Sequence, residues 1–181
     1  MNILHVIVEL SKAAGTSVFC GEIANGLVAV GHGETIAVAR LDKNDIYPLD
    51  SRVRLISIDS VLSDVHMKDW SLVHIHGLWT PVLHKVAKWV CRNGIPLVWS
   101  PHGMLTPWAF RFKWWKKMPA WWLYQKRDLA KADLLHATAQ SEAAGFRRVG
   151  LSNKIIIVPL GVTTGKALSV EYSSRRGRVT L

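Results

Sequence analysis

The segment "LVHIHGLW", residues 72–79, is an apolar run that ends on His76-Gly77. The segment "LVWSPHGM", residues 97–104, repeats the pattern and ends on His102-Gly103. Short runs rich in valine and leucine are typical of strands that are covered on both faces, as in a parallel sheet. Residues 80–94, which lie between the two runs, have the spacing of a helix. The stretch therefore predicts one strand–helix–strand unit of an α/β fold.

The same alternation extends in both directions along the chain. It predicts an α/β fold with an open, doubly wound, mostly parallel sheet. The further predicted elements are strands at 2–10, 34–40, 53–58, 132–138 and 154–162 and helices at 18–32 and 141–150.

Composition narrows the class of protein. The chain has 181 residues, of which 49% are hydrophobic and 20% charged, which excludes a disordered chain. A net charge of +10 favours an anionic partner: nucleic acid, a membrane surface or a phosphorylated small molecule. The N-terminus lacks the pattern of a signal peptide, and no apolar run reaches the roughly 18–20 residues that span a bilayer. We therefore expect a cytoplasmic protein.

The two His-Gly pairs predict a ligand site, because open α/β sheets bind ligands beyond the carboxyl ends of their strands. His76, Gly77, His102 and Gly103 are the candidate residues. His74 faces the same side of its strand as His76, and we interpret it as a group that caps the backbone. Three such histidines could also bind zinc, but neither loop contains Asp or Glu, so we predict no metal.

The loop "SKAAGTS", residues 11–17, precedes the first helix. Gly15 and Thr16 there could present backbone N–H groups to a phosphate or carboxylate. In the alternative interpretation, Thr16 only caps the helix. The loop does not match the nicotinamide-binding fingerprint.

The tryptophan–lysine segment, residues 108–127, interleaves tryptophans with cations. Such a pattern suits the headgroup layer of a membrane or stacking on bases or sugars, and core packing is the alternative. We expect a helix to begin at Pro119, and we expect no nucleic-acid binding because no recognition motif is present. The predicted membrane contacts are Trp114, Trp115, Lys116, Lys117, Trp121, Trp122, Lys126 and Arg127.

The ordered motifs "AAGTS", "LVHIHGLW", "PHGMLTPWA", "ADLLHATAQSEA" and "KIIIVPLGV" resemble the N-terminal half of family 4 glycosyltransferases. These are retaining, nucleotide-sugar-dependent enzymes with two Rossmann-like halves, the GT-B architecture. The resemblance is strongest to members that build bacterial lipopolysaccharide or exopolysaccharide, and it covers roughly residues 1–165.

The resemblance implies roles for several residues. His102 matches the histidine near the reacting sugar, and His76 matches a second position on the interdomain cleft. Gly15 matches a loop that faces the donor diphosphate and the acceptor, where Ala14 replaces a more usual glycine. Ser141-Glu142 matches a pair at a helix start, for which we prefer a capping role.

The resemblance also implies that a second half is needed. Residues 166–181 are expected to be a linker and the start of a further domain, and the family binds its donor nucleotide mainly through that half. We expect this chain to bind a glycan or lipid-linked acceptor, with a nucleotide sugar only when the C-terminal half is present, and to be inactive alone. No cofactor is expected. The alternative is a non-catalytic α/β module that binds a membrane surface or a partner.

Overall fold

The sheet is seven-stranded, parallel throughout, and ordered β3-β2-β1-β4-β5-β6-β7. It comes from a computed structural model that describes residues 1–42, 44–63 and 70–161. The predicted linker and the start of a further domain, residues 166–181, lie outside the described residues. The strands are β1 (Asn2–Glu9), β2 (Gly33–Arg40), β3 (Arg54–Ser57), β4 (Leu72–His76), β5 (Leu97–Ser100), β6 (Leu134–Ala137) and β7 (Lys154–Ile157).

Helices connect the strands and cover the sheet. The doubly wound architecture predicted from the sequence is therefore confirmed, with a short helix after β3 that the sequence did not reveal. The helices are α1 (Gly15–Ala29), α2 (Ile58–Leu62), α3 (Pro81–Arg92), α4 (Pro107–Arg111), α5 (Trp114–Ala120), a π-helical turn (Trp121–Gln125), α6 (Lys126–Ala130) and α7 (Gln140–Arg148).

The strand order places a switch point between β1 and β4. The chain adds β2 and β3 on one side of β1 and then returns to add β4 to β7 on the other side. Ligands of such sheets bind outside the carboxyl ends of the strands at this point. His5 of β1 pairs in register with His74 of β4, so the two histidines flank the switch point.

Glycine ends two of the connecting helices, as the sequence predicts. Gly31 follows α1 with a φ of 90°, and the N–H of His32 reaches back to the carbonyl of Leu27 at 3.0 Å. Gly94 follows α3 with a φ of 64°. Only glycine adopts this left-handed conformation without strain, and the reversed chain satisfies the last carbonyls of the helix.

Pro119 does not begin a helix, contrary to the prediction from the sequence. It lies inside α5, which starts after Lys113, a residue in the left-handed conformation with a φ of 50°. Proline has no N–H to donate within the helix, and the wider π-helical turn that begins at Trp121 follows directly. The break between α4 and α5 at Lys113 therefore sets the start of the helix.

The two faces of the sheet carry different cores. Leu4 and Val6 of β1 belong to a cluster with Leu83 of α3, whereas Ile7 belongs to a cluster with Ala24 of α1. Since side chains alternate along a strand, His5 lies on the α1 face. The layer between the sheet and α1 thus contains both apolar side chains, such as Ile7 and Ala24, and the histidine His5.

Candidate functional site

A cleft of about 520 Å³ lies at the carboxyl edge of the sheet. Four parts of the chain meet there: the start of α1, the loop after β5, the loop after β6 and the segment after β7. The cleft brings together four of the residues predicted from the sequence. Its lining consists of Gly15, Thr16, Phe19, His102, Gly103, Thr138 and Leu160.

His76 and Gly77 lie beside a second, smaller hollow of about 310 Å³, which shares Thr16 with the first. Gly77 takes a φ of 88°, so the chain turns sharply at the end of β4. The side chain of His76 is only 1% exposed, so it contacts other protein groups much more than solvent. Arg40 supplies a cation to the wall of this hollow.

A carboxylate holds the loop that carries His102. His102 and Gly103 both have positive φ angles, 52° and 72°. The backbone N–H of Gly103 donates to Oε1 of Glu142 at 2.6 Å, and the N–H of Thr138 donates to Oε2 at 2.8 Å. Glu142 is buried, whereas Ser141 is exposed. Glu142 therefore ties the β5 loop to Thr138, the residue before the N-cap Ala139 of α7. The capping role expected for Ser141 and Glu142 is not confirmed, because α7 has no side-chain hydrogen bond at its N-cap.

Behind His102 runs a chain of buried hydrogen bonds. Nε2 of His102 lies 3.0 Å from Nδ1 of His76, and Nε2 of His76 lies 3.0 Å from Nδ1 of His5. Nε2 of His5 lies 3.0 Å from Oε2 of Glu34. His5 and Glu34 are 0% and 3% exposed. The chain therefore connects the cleft to a carboxylate on β2.

A second chain runs beside the first. Nε2 of His74 lies 2.7 Å from the hydroxyl of Ser100, which lies 2.8 Å from Nδ1 of His136. Nε2 of His136 donates to the carbonyl of Val158 at 3.0 Å. His74 therefore bonds to side chains and not to the backbone that we expected it to cap. Phe19 of α1 covers both chains, with ring centroids 4.7 Å from His102 and 5.3 Å from His136.

Burial keeps three of these rings, His74, His76 and His102, neutral. Loss of solvent lowers the pKa of His102 to about 4 and holds the pKa values of His74 and His76 well below the usual range. The negative charge of Glu142 raises the pKa of His102 in part, and His136 lowers it further. At neutral pH, His102 therefore offers the cleft an uncharged imidazole.

The sequence did not identify His5, Glu34 or His136 as members of this cluster. Each belongs to a different strand, and each looks like a single polar residue in an apolar run. Nitrogens of His5, His74 and His76 lie within 4.8 Å of one another, a spacing that could hold a metal ion. In the described structure the same nitrogens take part in the hydrogen bonds above.

Trp121 is a correction to the predicted membrane contacts. It is 4% exposed and belongs to the core, where its ring centroid lies 5.4 Å from Phe110 and 6.2 Å from Trp79. The helix turns Trp121 toward the sheet, so it cannot reach a surface. Lys117 is half-buried and donates to the carbonyl of Ala109, and burial lowers its pKa.

The rest of the tryptophan–lysine segment is largely on the surface. Trp114, Trp115 and Trp122 are 60%, 61% and 67% exposed. Arg127 is exposed and donates to the carbonyl of Leu123, and Lys126 is half-buried. Three apolar residues that we did not predict are also exposed in this segment: Trp108, Phe112 and Leu123.

None of the helices within residues 1–42, 44–63 and 70–161 has both the length and the apolar character that crossing a bilayer requires.

A family model for Glycosyltransferase Family 4 matches residues 13–166. The chain belongs to glycosyltransferase family 4. The match includes the loop before α1, both His-Gly pairs and Glu142, so it contains the whole cleft lining. No curated protein matches the chain.

Solved structures of other proteins share the fold of this family 4 domain. HepE from Anabaena, solved with UDP and glucose, is 16% identical with a TM-score of 0.61, over 90% of this chain and 45% of HepE. A sucrose-phosphate synthase from Thermosynechococcus elongatus is 14% identical with a TM-score of 0.61, over 90% of this chain and 91% of the matched chain. The family 4 domain thus spans about half the length of HepE, and its fold is that of one half of a GT-B glycosyltransferase.

Proposed function

We propose that this chain is the acceptor-binding domain of a retaining glycosyltransferase in bacterial surface polysaccharide synthesis. Together with a donor-binding half, it transfers a sugar from a nucleotide sugar to a glycan or lipid-linked acceptor. The observation that supports this best is the cleft in which Gly15, Thr16, His102 and Gly103 meet at the carboxyl edge of the sheet. The cleft is open on one side, as a site completed by a second domain requires.

The cleft supplies two kinds of group to a sugar substrate. Gly15 begins the 15-residue helix α1, and the N–H of Ser17 already donates to the carbonyl of Ala14. The N–H groups of Gly15 and Thr16 lack partners within the helix and are available to an anion or a hydroxyl. His102 is neutral at physiological pH because burial lowers its pKa to about 4. A neutral imidazole can orient a hydroxyl without adding charge to the site. HepE, a structural neighbour, was solved with UDP-glucose, which is consistent with a nucleotide sugar as donor.

Binding to the isolated chain tests the proposal. The probes are UDP-glucose and a soluble short-chain prenyl diphosphate that carries one sugar, each followed by the backbone amide spectrum. We expect the prenyl-linked sugar to shift the amides of Gly15, Thr16 and Gly103, and UDP-glucose to have little effect. His102→Gln should weaken the response while the rest of the spectrum stays folded. Turnover of a nucleotide sugar by the isolated chain would contradict the proposal.

A second proposal concerns the tryptophan–lysine segment, which we infer binds an anionic membrane surface beside the cleft. The exposed aromatics carry the argument: Trp114, Trp115 and Trp122 remain in solvent although each costs free energy there. The ammonium of Lys116 lies 4.9 Å from the ring of Trp115, and that of Lys113 lies 5.1 Å from the ring of Phe112. Aromatic rings next to cations match the headgroup layer of anionic lipids.

Paired charge variants test the membrane proposal. Lys113→Gln with Lys116→Gln removes two exposed cations from the segment, and Lys85→Gln with Lys88→Gln removes two exposed cations from α3. At about 1 kcal/mol for each cation, the first pair should weaken binding to phosphatidylglycerol vesicles about 30-fold at low salt. The α3 pair should change binding much less. Equal losses for the two pairs would show that only net charge matters and would refute a specific membrane face.

A further inference from the structure

The buried chain behind His102 ends on a carboxylate. Glu34 lies on β2, and two strands separate β2 from β5, whose loop carries His102. His5 and His76 nevertheless connect Glu34 to His102 in three steps of 3.0 Å. His5 and His76 each use both ring nitrogens in this chain. A histidine that only fills space does not need two buried partners at hydrogen-bond distance.

The acceptor at the end gives the chain a direction. An ionised carboxylate only accepts hydrogen bonds, so Nε2 of His5 carries the proton that is donated to Glu34. If His5 is a neutral imidazole, it has one N–H, and its Nδ1 must accept from Nε2–H of His76. By the same step, Nδ1 of His76 accepts from Nε2–H of His102. The hydrogen bond from each ring thus fixes which nitrogen of the next ring carries the proton.

The second chain obeys the same rule with a different end group. The carbonyl of Val158 accepts from Nε2–H of His136, so Nδ1 of His136 accepts from the hydroxyl of Ser100. The Ser100 oxygen then accepts from Nε2–H of His74. None of the residues of this chain lines the cleft, whereas the chain from Glu34 reaches His102, which does.

We propose that Glu34 acts through His5 and His76 as a positioning residue that holds His102 in the tautomer with its proton on Nε2. Nδ1 of His102, which has no hydrogen-bond partner among the residues that the structure describes, is then an acceptor for a ligand. An acceptor suits a sugar hydroxyl and not a phosphate oxygen, which needs a donor. The choice of a sugar rests on the proposed function, but the tautomer does not.

The opposite direction requires one more proton. A proton added to Glu34 would reverse every bond in the chain. A proton added to His5 would leave the bond to Glu34 as it is and reverse the two bonds toward His102. In both cases Nδ1 of His102 would become a donor. Burial disfavours an added positive charge on His76 and His102, and the neighbouring His136 disfavours it further. The carboxylates Glu34 and Glu142 face the same cluster and partly oppose this effect. The tautomer of His102 therefore reports how many protons the buried chain holds.

Nitrogen NMR of the histidines tests this in the whole chain without any ligand. At about pH 8, two-bond proton–nitrogen spectra of ¹⁵N-histidine-labelled protein should show His5, His76 and His102 each with a protonated Nε2 and an unprotonated Nδ1. A His102 ring with its proton on Nδ1, or an average of both forms, overturns the proposal. Failure of acceptor binding in the amide experiment would leave this result unaffected, so the two proposals fail separately.

A charge-removing variant tests the role of Glu34 itself. The amide of Glu34→Gln can either accept or donate, so the direction of the chain is no longer imposed. The two nitrogen shifts of His102 should move toward each other, whereas those of His84, which is paired with Asp128, should stay unchanged. Asp59→Asn removes one negative charge from the exposed first turn of α2 and should have no effect on His102.

Two outcomes would overturn the role of Glu34. One is an unchanged His102 tautomer in a folded Glu34→Gln protein. The other is a metal ion that copurifies at one equivalent and is lost in His5→Gln, because a metal held by His5, His74 and His76 would replace the hydrogen bonds of the chain. If Glu34→Gln does not fold, the tautomers of the unmodified protein still decide the proposal.

Discussion

Acidification should destabilise this domain before its carboxylates titrate. His74, His76 and His102 have pKa values below the ordinary 6.5 because burial disfavours their charged forms. In the unfolded chain these rings bind protons near pH 6.5, whereas in the folded protein they do not. The unfolded state therefore holds more protons in this window, and the free energy of unfolding falls as the pH falls.

The magnitude follows from the pKa of His102. A change from 6.5 to about 4 is worth about 3 kcal/mol once the pH is below both values, at roughly 1.4 kcal/mol for each unit. By about pH 4.5 most of this is lost, and His74 and His76 change in the same direction. Three such rings give a slope of up to about 4 kcal/mol for each pH unit between about pH 6 and pH 5. A domain with a total free energy of unfolding of about 5–15 kcal/mol should therefore unfold within a few pH units of such a slope.

Urea unfolding followed by tryptophan fluorescence measures the effect at a series of pH values. The free energy of unfolding should be nearly constant between about pH 7.5 and pH 8 and should fall steeply below about pH 6.5. His102→Gln should reduce the slope by about one histidine's share, roughly 1.4 kcal/mol for each pH unit. A stability that is constant or rising from about pH 7.5 to pH 5 would refute the claim that the rings are neutral and buried.

Two further predictions concern packing. Trp99→Phe removes the indole N–H that donates to the carbonyl of Gly77 at 2.8 Å in the core, so urea unfolding should show a loss of about 1–3 kcal/mol. Gly21→Ala should lower the melting temperature, because its Cβ would lie 2.3 Å from the Tyr47 ring, whereas Gly26→Ala in the same helix meets open space and should raise stability by about 0.5–1 kcal/mol. If both alanines stabilise α1, Tyr47 does not pack against Gly21 as described.

The sequence predicted the sheet well because each strand is a local signal. Leu72, Val73 and Ile75 place apolar residues on both faces of β4, as a strand with both faces covered requires. Gly31 and Gly94 mark the helix ends because a reversed chain needs a positive φ at those positions. These features depend on a few neighbouring residues, so one sequence is enough to read them.

The histidine cluster was not predictable in this way because it depends on strand register. His5 lies beside His74 only because β4 inserts next to β1, and that order arises from packing across the whole sheet. Glu34 comes from the opposite neighbour of β1. Neither His-Gly loop contains an acid, which suggested that no carboxylate was near. The carboxylate of Glu34 nevertheless contacts the cluster, because β2 pairs with β1 in the sheet.

The tryptophan–lysine segment also could not be assigned fully from the sequence, in this case because it is helical. Trp121 and Trp122 are adjacent in sequence, yet one is 4% exposed and the other 67%. Neighbouring residues on a helix point about 100° apart, so composition alone cannot assign both to one surface. Pro119 and the π-helical turn after it shift the phase of the helix, which makes the assignment harder still.

The place of the polar cluster argues that it serves the cleft. Four buried histidines and a buried carboxylate between a sheet and a helix are costly compared with the apolar side chains that fill the rest of this layer. The cost is tolerated only where the groups bond to one another, and here they form two continuous chains. His102 is the one member of the two chains that lines the large cleft, within the described part of the protein. A cluster needed only for stability would have no reason to extend one chain to a residue on the cleft wall, so we regard the chain from Glu34 as part of the site.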